Sequence, residues 1–206
     1  MKTVTYVEFL ECAPYWVGVK EVEQIKAYFD RFGGKMSVLD ILNLDGVSAE
    51  VKLWSVLCEE FIPEPILHEF ACVCAEYALT LIDNPDPRSI KAVEVKRAWM
   101  RGEVSDEELA AASDAASDAY WAACDAYDAA CAACTTCVSC DVACDADAAC
   151  AACYACDAAC FASNTDCDVR LAAFAAVGGA NAARTAKDAT WEALAAYLIM
   201  TLEEEK

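Results

Sequence analysis

Between Arg101 and Arg170 the chain carries no Lys or Arg, while 13 Asp and Glu fall between Asp106 and Asp168. Inside that stretch, residues 110–162 hold 23 Ala among 53 positions, and most of the rest are Asp, Cys, Ser and Tyr. Ala has the highest helix propensity, so such a segment folds as helix without large side chains. It cannot build a core from bulk. It has to pack through close approach of small residues, with its acids facing water.

The remaining composition agrees with an all-α fold. The chain has 206 residues, 58% of them hydrophobic, with only seven Gly and five Pro. That excludes collagen and a Pro/Gly-rich disordered chain. Fifteen Lys and Arg against 35 Asp and Glu give a net charge of -20, which excludes a basic nucleic-acid-binding domain. Residues 1–104 carry 11 basic and 17 acidic side chains, and residues 105–206 carry 4 and 18. We therefore expect a helical globular domain over 1–104 and an Ala/Cys/Asp-rich helical region over 105–206. The long helices of the second region form a bundle or hairpin, either folded back on the first or paired between chains as a homo-oligomer.

Local signals place the helices. Lys20–Phe32 spaces Val22, Ile25, Tyr28, Phe29 and Phe32 helically, and Gly33-Gly34 ends that helix. Ser37 and Ser48 are N-caps for the next two. Ile66–Ile82 is apolar on most sides and reads as the most buried helix. In the turn at 83–87, Asp86 caps and Pro87 takes the first helical position. Ser105 and Glu108 form a capping box. The helix that follows runs to about Cys134. A turn near Thr135–Ser139 leads to a second Ala/Cys helix over Asp141–Ala162. A helix over Cys167–Val177 is stopped by Gly178-Gly179, and a last one runs from about Asn181 to Leu202. A β-solenoid is the competing reading of the Ala/Cys tract, but the tract has no fixed coil length and few β-branched residues.

The first Ala-rich helix has two stripes. Asp114, Asp118, Trp121, Asp125 and Asp128 follow 4-3-4-3 spacing and share one face. Tyr120, Cys124, Tyr127, Cys131 and Cys134 follow the same spacing, roughly 120° away, as a packing seam. The Asp stripe with Trp121 is the candidate partner-binding surface. A field of this sign repels phosphate and anionic membranes and attracts a basic protein. Its plainer role is to keep an Ala-rich helix soluble.

At EYALTLIDNPDPRSIKAVEVKRAWMRGEVSDEELAAASDAASDAYWAA the chain resembles Ala-rich helical proteins of bacteriophages and bacteria labelled as immunity proteins. The shared pattern is a DPRS turn, a helix, RGEVSDEELAAA and then a long Ala run with periodic aromatics. In order of elements it extends over about residues 5–130, and it is specific around 83–123. The resemblance implies a non-enzymatic binding protein that neutralises a toxin, nuclease or defence factor. It supplies no active-site residues. The family's Ala run carries Arg and Trp, where this one carries Cys and Asp.

Fifteen Cys offer a second chemistry. Cys131/Cys134 and Cys153/Cys156 are spaced CxxC, and Cys156/Cys160 are four apart. On a helix both spacings put thiols on neighbouring turns, and thiolates suit Cu(I) or Zn. A thiolate-lined helical metal store, resembling the copper-storage proteins, is therefore the alternative reading, with Cys131, Cys134, Cys153, Cys156 and Cys160 as ligands. Reduced Cys is also a small apolar filler that alternates with Ala as core residues do. A further alternative is a sponge for a small anionic signal, held by Arg88, Lys91, Lys96, Arg97 and Arg101.

Nothing points to an enzyme. His68 is the one histidine, set in an apolar helix, and no nucleophile turn accompanies it. No GxxxxGK[ST], GxGxxG or DxDxDG loop occurs, so phosphate and calcium sites of those kinds are absent. The start, MKTVTYVEFLECAPYW, lacks the basic start and apolar run of a secretion signal. No run of 18 uncharged apolar residues occurs. The expectation is a protein of the bacterial cytoplasm, where thiols stay reduced, with no resident cofactor and no membrane contact.

Overall fold

Helix starts and stops follow the local chemistry. The computed structural model describes residues 3–12, 19–136, 141–164, 169–182 and 187–204, with side chains for all of these except 19–21, 130–136, 141–146 and 187. Among the described residues ten helices and one two-stranded sheet occur: β1 (Thr3–Thr5), α1 (Tyr6–Cys12), α2 (Val19–Arg31), β2 (Lys35–Ser37), α3 (Val38–Leu42), α4 (Ala49–Val56), α5 (Glu64–Thr80), α6 (Pro87–Met100), α7 (Asp106–Thr136), α8 (Asp141–Ser163), α9 (Val169–Ala182) and α10 (Lys187–Glu204). The fold is predominantly all-α, and the solenoid reading falls with it. No helix among the described residues is long and apolar enough to cross a membrane.

The chain divides into two compact units, Met1–Leu67 with Trp191–Lys206, and His68–Thr190. The compositional break at residue 104 lies inside the second unit. In the first unit β1 pairs antiparallel with β2, Val4 opposite Met36. Both side chains are buried, while Thr5 and Ser37 are half-covered and Lys35 is exposed. The sequence reading expected only helices here; three-residue strands are too short to show a period-two pattern. Phe9 and Phe29 meet with ring centroids 5.7 Å apart, and Ile25, Ile41, Leu53 and Ile62 are buried with them. Gly33 and Gly34, at φ 74° and 84°, close α2 in the left-handed conformation that glycine tolerates. Ser37 caps α3 reciprocally with Asp40, and Ser48 caps α4 by accepting from the Val51 amide.

The second unit is built on small residues. α7 buries Leu109, Ser113, Ala116 and Ala119; α8 buries Ala151, Ala155, Cys156, Ala158, Ala159 and Ala162; α9 buries Ala172, Ala173, Ala175 and Ala176. α8 packs along both α7 and α9, and α6 crosses α7 and α8. Each buried methyl contributes only about 0.8 kcal/mol, so the gain comes from number and from close approach. Arg97 ties α6 to α5, donating to Glu69 (2.7 Å from Nη2) and to Glu76 (3.0 Å from Nη2). Both carboxylates hold its guanidinium charged, Glu69 foremost. Lys96 is fully buried. Its ammonium donates to the Asn164 carbonyl at 2.5 Å and stands 4.3 Å from the Trp99 ring centroid, a cation–π arrangement.

Two boundaries depart from expectation. Gly178-Gly179 does not stop a helix: α9 runs through both to Ala182. A Cβ on Gly178 would lie 2.7 Å from the Tyr154 ring, so the missing side chain is the seat of that ring. The glycines serve helix contact and not termination. Asn181 accordingly belongs to α9, and α10 begins at Lys187. Of the turn expected near Thr135–Ser139, Thr135 and Thr136 belong to α7 and the rest lies outside the described residues; of a second turn expected over residues 163–166, Ser163 ends α8 and 165–166 lie outside them.

Gly178 and Gly179 make a matched test. At Gly179 a Cβ would meet nothing closer than 3.5 Å, so Gly179→Ala should stabilise by up to about 1 kcal/mol through helix propensity. Gly178→Ala must displace the Tyr154 ring, an overpacking cost of about 1–3 kcal/mol that offsets the same gain. Urea unfolding of both variants should rank Gly179→Ala above the parent and Gly178→Ala below Gly179→Ala.

Candidate functional site

The site starts at the turn between α6 and α7. Gly102 sits at φ 72°, which lets the chain reverse at once after Arg101. Ser105 accepts from the Glu108 amide at 3.2 Å, and Glu108 accepts from the Ser105 amide at 2.9 Å. Two otherwise orphaned amides are satisfied, and the register of α7 is set. Asp106 accepts from the Trp99 indole at 2.7 Å. Asp106, Glu107 and Glu108 place negative charge at the positive end of the helix dipole.

With that register, Leu109, Ser113 and Ala116 face inward and Tyr120, Cys124 and Tyr127 continue the same face half-buried. The structure places Asp114, Asp118, Asp125 and Asp128 together on the opposite, exposed side. Trp121 lies among them, 63% exposed, its ring edge-on to Tyr120 with centroids 5.2 Å apart. A large ring left in water amid carboxylates is an anchor that a partner could bury. Beside this face runs a cleft of about 710 Å³ between the 82–87 turn and the α7–α8 pair. Ala119, Ala122 and Ala123 form one wall, Ile82 and Ile90 another, and Asp83 and Asp86 bring carboxylates to it. The cleft joins two sequence-distant segments and gave no signal in the sequence.

The five cations considered for an anionic signal do not form an open basic patch. Arg88 is bidentate to Asp86, at 3.0 and 2.8 Å. Lys91 pairs with Glu94 and Arg101 with Glu103. Lys96 is buried on the Asn164 carbonyl, and Arg97 is held by Glu69 and Glu76. His68 is buried and stacks at 5.7 Å on Trp99.

The cysteines divide. Cys153 is half-buried, with its Sγ 2.9 Å from that of Cys124 across α7 and α8. Cys156 is buried and Cys160 half-buried. The side chains of Cys131 and Cys134 lie outside the described residues. Burial raises the thiol pKa of Cys153, Cys156 and Cys160, so the thiolate that a metal needs is disfavoured there. Among the described residues, three ligand atoms come within 4.8 Å of one another only at Cys12, Cys58 and Glu60, in the first unit. Spacing along one helix gave no hint of that group, because Cys12 and Cys58 are 46 residues apart.

Between α7 and α8, Tyr120, Cys124, Cys153 and Asp157 form a polar inset in the Ala packing. The Tyr120 phenol is pushed up by its hydrogen bond to Cys124, then by burial. Burial pushes the Asp157 carboxyl up to about 6.

Comparison with protein-family models, with curated proteins and with solved structures returns no match. The functional reading therefore rests on the geometry.

Asp157 makes a pH prediction. Its folded pKa lies above the unfolded value, so its contribution is most favourable below about pH 4 and is lost as pH rises through about 6. Asp157→Asn should raise stability at pH 8 by about 1 kcal/mol, discounted for the partial solvent access of the group, and change it little at pH 4. Urea midpoints at the two pH values check the sign.

Proposed function

We propose that this is a non-enzymatic acidic binding protein of immunity or anti-defence type, which presents the exposed face of α7 to a basic protein and occludes it. The observation that carries the reading is the row of exposed carboxylates Asp114, Asp118, Asp125 and Asp128 around the 63%-exposed Trp121. No Lys or Arg follows in the chain until Arg170. Long-range attraction would speed encounter with a basic toxin, nuclease or defence factor. Burial of Trp121, and of a partner side chain in the adjoining cleft, would then slow release. The row spans 14 residue steps, roughly 21 Å of helix, enough to cover a catalytic groove or a stretch of nucleic-acid-binding surface. Substrate turnover plays no part in this mechanism.

The metal-store reading draws less support. Its described ligands, Cys153, Cys156 and Cys160, lie in the packed α8 face with raised thiol pKa values.

The experiment is affinity capture from the native host, followed by binding kinetics on the captured protein. The bait is either the parent or the Asp114→Asn, Asp118→Asn, Asp125→Asn, Asp128→Asn variant. All four side chains are exposed, so the fold should tolerate the change. The expected partner is basic. Its association at low salt should slow by about tenfold or more in the quadruple variant, within the range of electrostatic steering. Trp121→Ala should speed dissociation by about tenfold or more, as expected of an interface anchor. A partner that binds both variants as the parent does would refute this surface.

A further inference from the structure

We infer that Cys12, Cys58 and Glu60 form a zinc site in the first unit, separate from the acidic face and from the Cys-rich helices. The Sγ atoms of Cys12 and Cys58 lie 3.4 Å apart, and the Glu60 carboxylate completes a trio of ligand atoms within 4.8 Å of one another. Two elements bring them together. Cys12 ends α1, which packs on α4 and buries Phe9. Cys58 and Glu60 stand in the tight turn that follows α4. There the Cys58 amide donates to Val56, and the Cys58 carbonyl accepts from the amides of both Phe61 and Ile62. The turn fixes Cys58 and presents Glu60 two residues on.

The separation of the thiols leaves room for a shared ion. Two thiolates on a tetrahedral zinc, at bonds of about 2.3 Å, sit about 3.8 Å apart. A disulfide needs about 2.0 Å. At 3.4 Å the pair is closer to the metal geometry, needing a few tenths of an ångström of movement. The contrasting pair, Cys124 and Cys153 at 2.9 Å, belongs to no such trio among the described residues. Both thiols of the proposed site are half-buried, so neither is closed off, and Glu60 is exposed. Glu11 and Glu59, adjacent in sequence and exposed, add a field that attracts a cation. A carboxylate beside two thiolates suits zinc better than Cu(I), which prefers sulfur throughout. Binding replaces the two thiol protons by two Zn–S bonds and releases the protons. Glu60 supplies the third bond and water the fourth, so the site keeps an open position.

The test uses the full chain, reduced, stripped by chelator and titrated anaerobically with Zn²⁺ against a colorimetric competitor. X-ray absorption on the sample holding one equivalent reads the ligands. The parent should bind one tight ion with two sulfur and two lighter ligands. Cys58→Ser should lose that ion. Glu60→Gln, an isosteric change on an exposed side chain, should weaken it by about tenfold or more, the scale on which even groups supporting a metal act. Cys153→Ser should leave it unchanged. The inference is overturned if the bound ion shows more than two sulfur ligands, if Cys58→Ser and Glu60→Gln bind as the parent does, or if no tight ion binds. None of these outcomes bears on the acidic face of α7.

Discussion

The packing of α7, α8 and α9 depends on how closely backbones can approach when most buried side chains are a methyl group or less. Among the described side chains of α7, Leu109 is the one large residue buried fully, and most buried positions of α8 and α9 are Ala. Large side chains appear where the small ones leave room: the Tyr154 ring lies against Gly178, and Lys96 reaches inward to the Asn164 carbonyl. Such a core gains little from any one contact and much from their repetition, and it tolerates added volume poorly. The polar inset of Tyr120, Cys124, Cys153 and Asp157 is where this packing is least complete.

The same constraint produces the functional surface. A helix that packs through small residues leaves a broad face in water. On α7 that face carries charge of one sign. The cations of α6, which might have balanced it, are spent on local partners: Arg88 on Asp86, Lys91 on Glu94, Arg97 on Glu69 and Glu76, Arg101 on Glu103. Short-range pairing thus leaves the long-range field of the acidic row largely in place, with Arg88 acting on Asp118. Packing and electrostatics are two faces of one choice of residues.

Much of this was legible before any coordinates. The caps at Ser37, Ser48, Asp86 and Ser105 and the two stripes of α7 are local properties that depend on periodicity and side-chain chemistry within a few residues. What escaped was non-local. The β1–β2 pair joins residues 30 to 34 positions apart through three-residue strands. Gly178 looked like a helix stop because the sequence does not show the Tyr154 ring that needs its space. The Cys12–Cys58 contact and the cleft beside α7 arise from tertiary placement alone. The cysteine spacings, by contrast, point to α8, where Cys156 is buried and Cys153 and Cys160 are half-buried.

The cation-free stretch has a consequence for the chemistry that can reach it. From Gly102 to Val169 there is no amine or guanidinium side chain. An enzyme that cleaves after Lys or Arg, or one that acylates or conjugates lysine, finds no target on α7 or α8. Arg101 is exposed at the turn into α7, whereas Arg170 lies half-covered within α9 with Nε and Nη2 enclosed. A trypsin-like protease can therefore open the chain before α7 but cannot trim it, and the proposed binding face persists as one intact helix for as long as the unit holds together.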